Sequence, residues 1–127
     1  MSKKRWVLGL FLLTQQALSA EQASVFVSFS MPETLLEETL KESSRMQIPA
    51  YLNGLYHDSM QETALKMMAL SEKIPNLNLN IDPTLFERFG IRQVPALVVE
   101  KEKDFDVIYG HLPLHEGLSR MGRRTHD

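Results

Sequence analysis

The chain has 127 residues, a formal net charge of −2 and no cysteine. That length supports one small domain with one core, and the acidic balance offers no electrostatic footprint for nucleic acid. The missing thiols exclude disulfides, zinc-thiolate sites and cysteine nucleophiles.

The opening MSKKRWVLGLFLLTQQALSA joins a cationic start (Lys3, Lys4, Arg5) to an apolar run from Trp6 to Leu13 and a small-residue exit at Ala17, Ser19 and Ala20. This is the pattern of a secretory signal peptide over 1–20, with cleavage expected after Ala20 or after Ser19. The apolar run is far shorter than the roughly 20 residues that span a bilayer, so no integral membrane anchor is expected after cleavage. Cleavage removes three cations and no anion, which leaves the mature chain more acidic. The remaining basic cluster, Arg120, Arg123 and Arg124, reads as a solvated end that runs into a basic tail over 122–127.

SVFVSF, 24–29, is a β-branched and aromatic run expected to form a buried strand. Ser30 stands three residues ahead of Glu33 with Pro32 between them, which predicts an N-cap with a capping box. The helix that follows carries Leu35, Leu36, Leu40 and Met46 at helical spacing, with Glu37, Glu38, Lys41 and Glu42 on the other side. IPAYLNGLY, 48–56, reads as a second strand running into an Asn-Gly turn. Asp58 or Ser59 then caps a helix with apolar positions Met60, Ala64, Leu65, Met67, Met68 and Leu70, ending before Pro75. Three of the chain's seven methionines fall in this helix, and they are read as core filler.

A short strand is expected over 76–81, followed by a brief helix with Asp82 as cap, Pro83 at its first position and Gly90 at its end. VPALVVEKEKDFDVIYGHL predicts an antiparallel hairpin with a charged bend at Glu100 to Asp104. A last helix is expected over 114–121. Strands alternating with helices argue parallel pairing, and the closing hairpin adds antiparallel strands to the same sheet. The expected fold class is therefore α/β, a mixed sheet flanked by helices.

FGIRQVPALVV, 89–99, resembles the thioredoxin superfamily's segment in which an aromatic-Gly-Ile-Arg run precedes a Val-Pro step. That resemblance implies a thioredoxin-like domain over 24–121 and a cis peptide at Pro95, facing the site where catalytic members carry a Cys-x-x-Cys pair. Such a pair sits at a helix N-terminus, which stabilises a thiolate; here that junction reads SFSMPETL and cannot exchange disulfides. Together VFVSFSMPETLLEETLKES, YLNGLYHDSMQETALKM and NIDPTLFERFGIRQVPALVV resemble a narrower family, the TrbC proteins of F-type conjugative pilus assembly. The resemblance implies a periplasmic, non-catalytic assembly protein of a conjugative type IV secretion system, without cofactor. Its implied partners are a TraW-like periplasmic assembly protein and other conjugative secretion components. Members of the family commonly have more chain ahead of the domain than the interval here from Ala20 to Ser24, so contacts made by such an extension are not implied.

On this reading the partner meets the vacant active-site face, and Met31, Phe86, Arg92 and Gln93 are the candidate contact residues. Tyr51 and Tyr56 are further aromatic candidates for that face or for the core. Two other function classes are weighed: a general periplasmic peptide-binding chaperone, and a cysteine-free hydrolase in which Ser30 acts as nucleophile with His57 as base. Ser30 is read first as a helix cap. His111 and His115 have a spacing that could bind metal on a helix, but Pro113 intervenes and no third ligand is near, so they read as surface residues along with His126. Asp104 and Asp106 are expected to keep an exposed strand or turn soluble.

Overall fold

The structure, a computed structural model, describes residues 22–110. The signal peptide, the final helix, the basic tail and the three C-terminal histidines lie outside the described residues.

Strand β1 (Gln22–Val27) leads into helix α1 (Glu33–Arg45), strand β2 (Ala50–Leu52), helix α2 (Met60–Lys73), strand β3 (Leu79–Ile81), helix α3 (Pro83–Arg88) and the hairpin β4 (Ala96–Glu100) and β5 (Phe105–Tyr109). The five strands form one sheet in the order β3-β2-β1-β4-β5. β1 pairs in parallel with β2, and β2 with β3, whereas β4 runs antiparallel to both β1 and β5. The two parallel crossovers step outward in the same direction, and crossovers of one hand put both helices on one face.

Alternation along the central strands then divides the core. Val25 and Val27 of β1 and Leu97 and Val99 of β4 turn to one face, where Leu36 and Leu40 of α1 and Leu70 of α2 close over them. Phe26, Ala96 and Val98 turn to the other, where α3 and its exit supply Phe86 and Phe89. Side chains that alternate across a strand produce this division from one continuous apolar run.

Several boundaries differ from the sequence expectations. β1 ends at Val27 and Phe29 lies in the turn beyond it, because the Met31 N–H bonds back to the Ser28 carbonyl at 3.2 Å and pulls the chain out of the sheet. Ser30 is not the cap of α1. The proline after Met31 disfavours helical geometry at Met31, and Pro32 itself is extended, with φ −53° and ψ 136°, so the helix begins only at Glu33. The Ser30 hydroxyl bonds the Ser28 hydroxyl at 2.8 Å instead. β2 covers Ala50–Leu52 and stops at Asn53 and Gly54, where the chain bends as the Asn-Gly pair predicted.

The methionines of α2 are not all core filler. The stripe of Thr63, Met67 and Leu70 faces inward at i, i+4 and i+7, so Leu65 and Met68 point outward and Met60 lies exposed at the helix start. Ser59 caps this helix, its hydroxyl accepting from the Glu62 N–H at 3.1 Å.

α3 matches its sequence signals closely. The Asp82 carboxylate accepts from the N–H groups of Thr84 and Leu85 at 3.1 and 3.4 Å, and Pro83 opens the helix. At its far end Gly90 takes a φ of +63°, the left-handed turn that lets the Ile91 N–H reach back to the Phe86 carbonyl at 2.9 Å. Asp82→Ala is expected to cost about 1 kcal/mol, read as a lower urea midpoint with unchanged slope. No change in midpoint would show that the cap is dispensable.

Candidate functional site

The carboxyl ends of β1 and β2 open onto a cleft of about 660 Å³ between two loops. Open α/β sheets hold their ligands at this position. One wall is the β1–α1 turn, Ser28 to Ser30; the other is the β2–α2 loop, Leu52 to His57. Phe29 and Tyr56 meet edge to face across it, ring centroids 5.8 Å apart, and the His57 ring stacks on Tyr56 at 3.7 Å. The Lys66 ammonium from α2 stands over Tyr56 at 4.5 Å and over Phe29 at 5.7 Å. Cation–π attraction of this kind favours this arrangement of the two rings.

The β2–α2 loop is held in an unusual backbone form. His57 and Asp58 both take positive φ, 51° and 56°, a region in which side-chain-bearing residues cost about 1–3 kcal/mol each. Fully buried Thr63 holds the loop in place. Its hydroxyl accepts from the Tyr56 N–H at 2.8 Å and donates to the Ser59 carbonyl at 2.6 Å. No sequence signal marked Thr63, because a threonine on a helix's inner face reads as a weak apolar position.

Phe29 also borders a smaller cleft of about 230 Å³ between α1 and α2, with Met31, Leu36 and Leu70 at its floor and Glu37, Lys66 and Lys73 at its rim. Lys73 donates to Glu37 at 3.0 Å. That hydrogen bond and the attraction of Glu37 raise the Lys73 pKa above its ordinary value against the desolvation of the amine, with Glu33 adding least.

The candidate contact residues are split. Met31 is 8% exposed and Phe86 6%, and they belong to opposite faces of the sheet. They are core residues here: Met31 folds under the turn, where its sulfur accepts from the Ser28 N–H at 3.4 Å and it reaches only the floor of the smaller cleft, and the Phe86 ring packs edge to face on Phe26 at 4.9 Å. Arg92 and Gln93 are exposed in the loop ahead of a cis Val94–Pro95 peptide. Tyr51 leans on Phe26 at 5.7 Å on the α3 face, so among the aromatic candidates Tyr56 alone borders the cleft.

Ser30 and His57 line the same cleft but make no catalytic pair. The Ser30 hydroxyl is engaged by Ser28, and the His57 Nδ1 lies 3.4 Å from Glu62 Oε1. Asp104 accepts from the Phe105 N–H at 2.8 Å and Asp106 faces Lys101 at 3.5 Å, both structural uses within the hairpin. Among the described residues no group of three His, Cys, Asp or Glu side chains could hold a metal ion, and no helix is long and apolar enough to cross a membrane.

A family model described as type-F conjugative transfer system pilin assembly protein, TrbC, matches residues 25–120. The chain belongs to this family. It is 37% identical over 108 residues to the periplasmic protein TrbC of Escherichia coli (strain K12), a stretch that takes in 85% of this chain and 51% of the relative. The chain thus spans about half the length of that curated relative.

Two solved structures share the fold. The exposed lipoprotein thioredoxin Etrx1 of Streptococcus pneumoniae strain TIGR4 matches with a TM-score of 0.54 at 13% identity, covering 79% of this chain and 84% of that one. StoA of Bacillus subtilis matches with a TM-score of 0.52 at 12% identity, covering 76% of this chain and 78% of its own. This chain therefore shares the thioredoxin-like architecture with proteins of very different sequence.

Proposed function

We propose that the protein is a periplasmic, non-catalytic component of a type-F conjugative type IV secretion system, exported by its signal peptide and acting in pilus assembly through protein contacts. Membership of the pilin assembly family carries this reading, and the relative named a periplasmic protein supports the location. The β1–α1 junction supports the non-catalytic role. Where a thiol pair would have to stand, Ser28, Ser30 and Met31 hold one another in a closed turn.

The partner on this reading is a TraW-like periplasmic protein, met on the face that carries the cleft and the loop ahead of Pro95. Arg92 and Gln93 are the exposed members of the candidate set, so the double variant Arg92→Ala, Gln93→Ala is expected to weaken capture of purified TraW-like protein at least tenfold with an unchanged circular dichroism spectrum. Equal capture by the variant would remove this loop from the contact. Mass spectrometry of the periplasmic fraction is expected to show a chain starting at Glu21 or Ala20, and an intact start at Met1 or Ser2 would contradict export with processing.

A further inference from the structure

The two edges of the sheet are finished differently. β3 is a three-residue edge whose central Asn80 reaches back to the Ala50 carbonyl at 3.5 Å and to the Asn78 side chain at 2.9 Å. The other edge is β5, five residues long, with no strand beyond it among the described residues.

The register of β4 and β5 decides which backbone groups of that edge face outward. Ala96 stands opposite Tyr109, Val98 opposite Val107 and Glu100 opposite Phe105. The phase is set by the bonds at either end of the hairpin, from the Gly110 N–H to the Pro95 carbonyl at 3.1 Å and from the Lys101 N–H to the Asp104 carbonyl at 2.8 Å. Bonded and non-bonded pairs alternate along an antiparallel ladder. Asp106 and Ile108 therefore turn their backbone groups to β4, and Phe105, Val107 and Tyr109 direct theirs away from it. The Asp104 carboxylate accepts from the Phe105 N–H at 2.8 Å, which leaves the N–H groups of Val107 and Tyr109 and all three carbonyls for an added strand.

An edge of this kind templates another strand unless charge, proline or a bulge blunts it. The three outward residues carry none of these, and the ladder behind them is unbroken. Both carboxylates of the hairpin, Asp104 and Asp106, fall at the positions whose backbone already pairs with β4. Phe105, Val107 and Tyr109 also share the α3 face, since side chains two apart on a strand point the same way. Val107 is half-buried there, while Phe105 and Tyr109 are each 40% exposed. Both rings are held in place, Phe105 edge to face on Phe89 at 4.9 Å and the Tyr109 hydroxyl donating to the Gly90 carbonyl at 3.2 Å.

Symmetry and charge point to the same occupant. A two-fold interface joins a patch to its own copy, and the outward groups of β5 are arranged symmetrically about Val107. Paired antiparallel about that centre, Val107 meets its counterpart and each Phe105 meets a Tyr109, an aromatic cross-strand pair that favours a ladder. A centre at Phe105 would set Asp104 against Asp106, and a centre at Asp106 would set it against itself, both like-charge pairs that destabilise one. A centre at Ile108 or Tyr109 leaves Phe105 with nothing in β5 opposite it. Centred on Val107, Asp106 faces Ile108 and keeps its ion pair with Lys101 at 3.5 Å.

We propose that β5 is a homodimer interface at which two copies of this chain pair antiparallel about Val107, joining their sheets into one, with Phe105 and Tyr109 packed across the junction on the α3 face. This interface is separate from the cleft and from Arg92 and Gln93, and it does not depend on the assembly partner.

The test combines sedimentation equilibrium with backbone amide hydrogen exchange on the full mature chain purified from the periplasm, over about a hundredfold range of concentration. The mass is expected to rise from monomer toward dimer, and exchange at Val107 and Tyr109 to slow at least tenfold in step with it, while Ile108, bonded within the hairpin, is protected throughout. Val107→Pro removes the central outward N–H and no ladder bond, a place where an edge strand accepts proline. It is expected to keep the dispersed amide spectrum of wild type and to stay monomeric over the whole range. The exchange pattern is read on wild type, so it decides the matter even where the proline variant fails to fold. A monomeric mass throughout overturns the interface, whether Val107 and Tyr109 are protected at every dilution, as they would be if residues 111–127 covered the edge, or exchange freely at all of them. A dimer in which these two amides stay unprotected, or one that a folded Val107→Pro protein retains, places the contact elsewhere and overturns it too.

Discussion

Replacing Phe26 with alanine is expected to cost about 3–5 kcal/mol of stability. Phe26 is fully buried near the carboxyl end of β1, and its ring contacts Phe86 at 4.9 Å, Tyr51 at 5.7 Å and Phe89 at 5.9 Å. The substitution removes the transfer energy of a whole ring and also leaves a cavity that the sheet cannot close, because β1 is pinned on one side by β2 and on the other by β4. Phe26→Leu keeps most of the volume and is expected to cost less than half as much. Urea titration of both variants checks this. A loss below about 1 kcal/mol for the alanine variant would mean that the α3 face contributes little to the fold, against the transfer and cavity terms together.

Thr63→Val is expected to destabilise the protein by about 1–3 kcal/mol, the penalty for leaving the partly buried Tyr56 N–H without a partner, while the Ser59 carbonyl keeps its bond from the Thr63 N–H at 3.1 Å. The change preserves shape but removes the hydroxyl that serves the Tyr56 N–H and the Ser59 carbonyl together. The two left-handed residues at His57 and Asp58 then lose the brace that offsets their strain, and the loop is expected to relax toward ordinary φ values. Thr63→Ser retains the hydroxyl and is expected to recover most of the loss. A stability loss without any change in the amide shifts of Asn53 to Tyr56 would show that Thr63 serves the fold alone and does not shape the cleft.

The signals that could be read along the chain were those that act locally. Asp82-Pro83 at one end and Gly90 at the other defined α3, because a carboxylate cap, a proline at the first position and a left-handed glycine each satisfy backbone groups within a turn of themselves. The β-branched and aromatic run of β1 and the polar bend between β4 and β5 likewise marked the sheet. Two kinds of feature were hidden. The start of α1 moved to Glu33 since Pro32 constrains its predecessor as well as itself, and a capping pattern that spans a proline satisfies the spacing without the geometry.

The burial of Met31 and Phe86 could not be seen either. Burial depends on which segments close over a residue, and Met31 disappears only when the Ser28–Met31 turn folds onto the core formed by α1, β1 and β2. The cleft itself comes from two loops distant in sequence, and its brace, Thr63, is a polar residue on an otherwise apolar stripe. Helical periodicity reports that such a residue faces inward and says nothing about the carbonyl and N–H it will meet there.

The account stands or falls on whether the protein is needed for assembly without performing chemistry. The measurement is pilus formation and DNA transfer by cells carrying a type-F conjugative system from which this gene has been deleted, complemented in turn by wild type and by Ser30→Ala. Ser30 is the single nucleophile weighed in the cleft, and its hydroxyl bonds Ser28 at the exposed turn. The predicted result is loss of pili and of transfer on deletion, with restoration by both forms. Normal transfer in the deletion strain, or a folded Ser30→Ala protein that fails to restore it, would contradict the account.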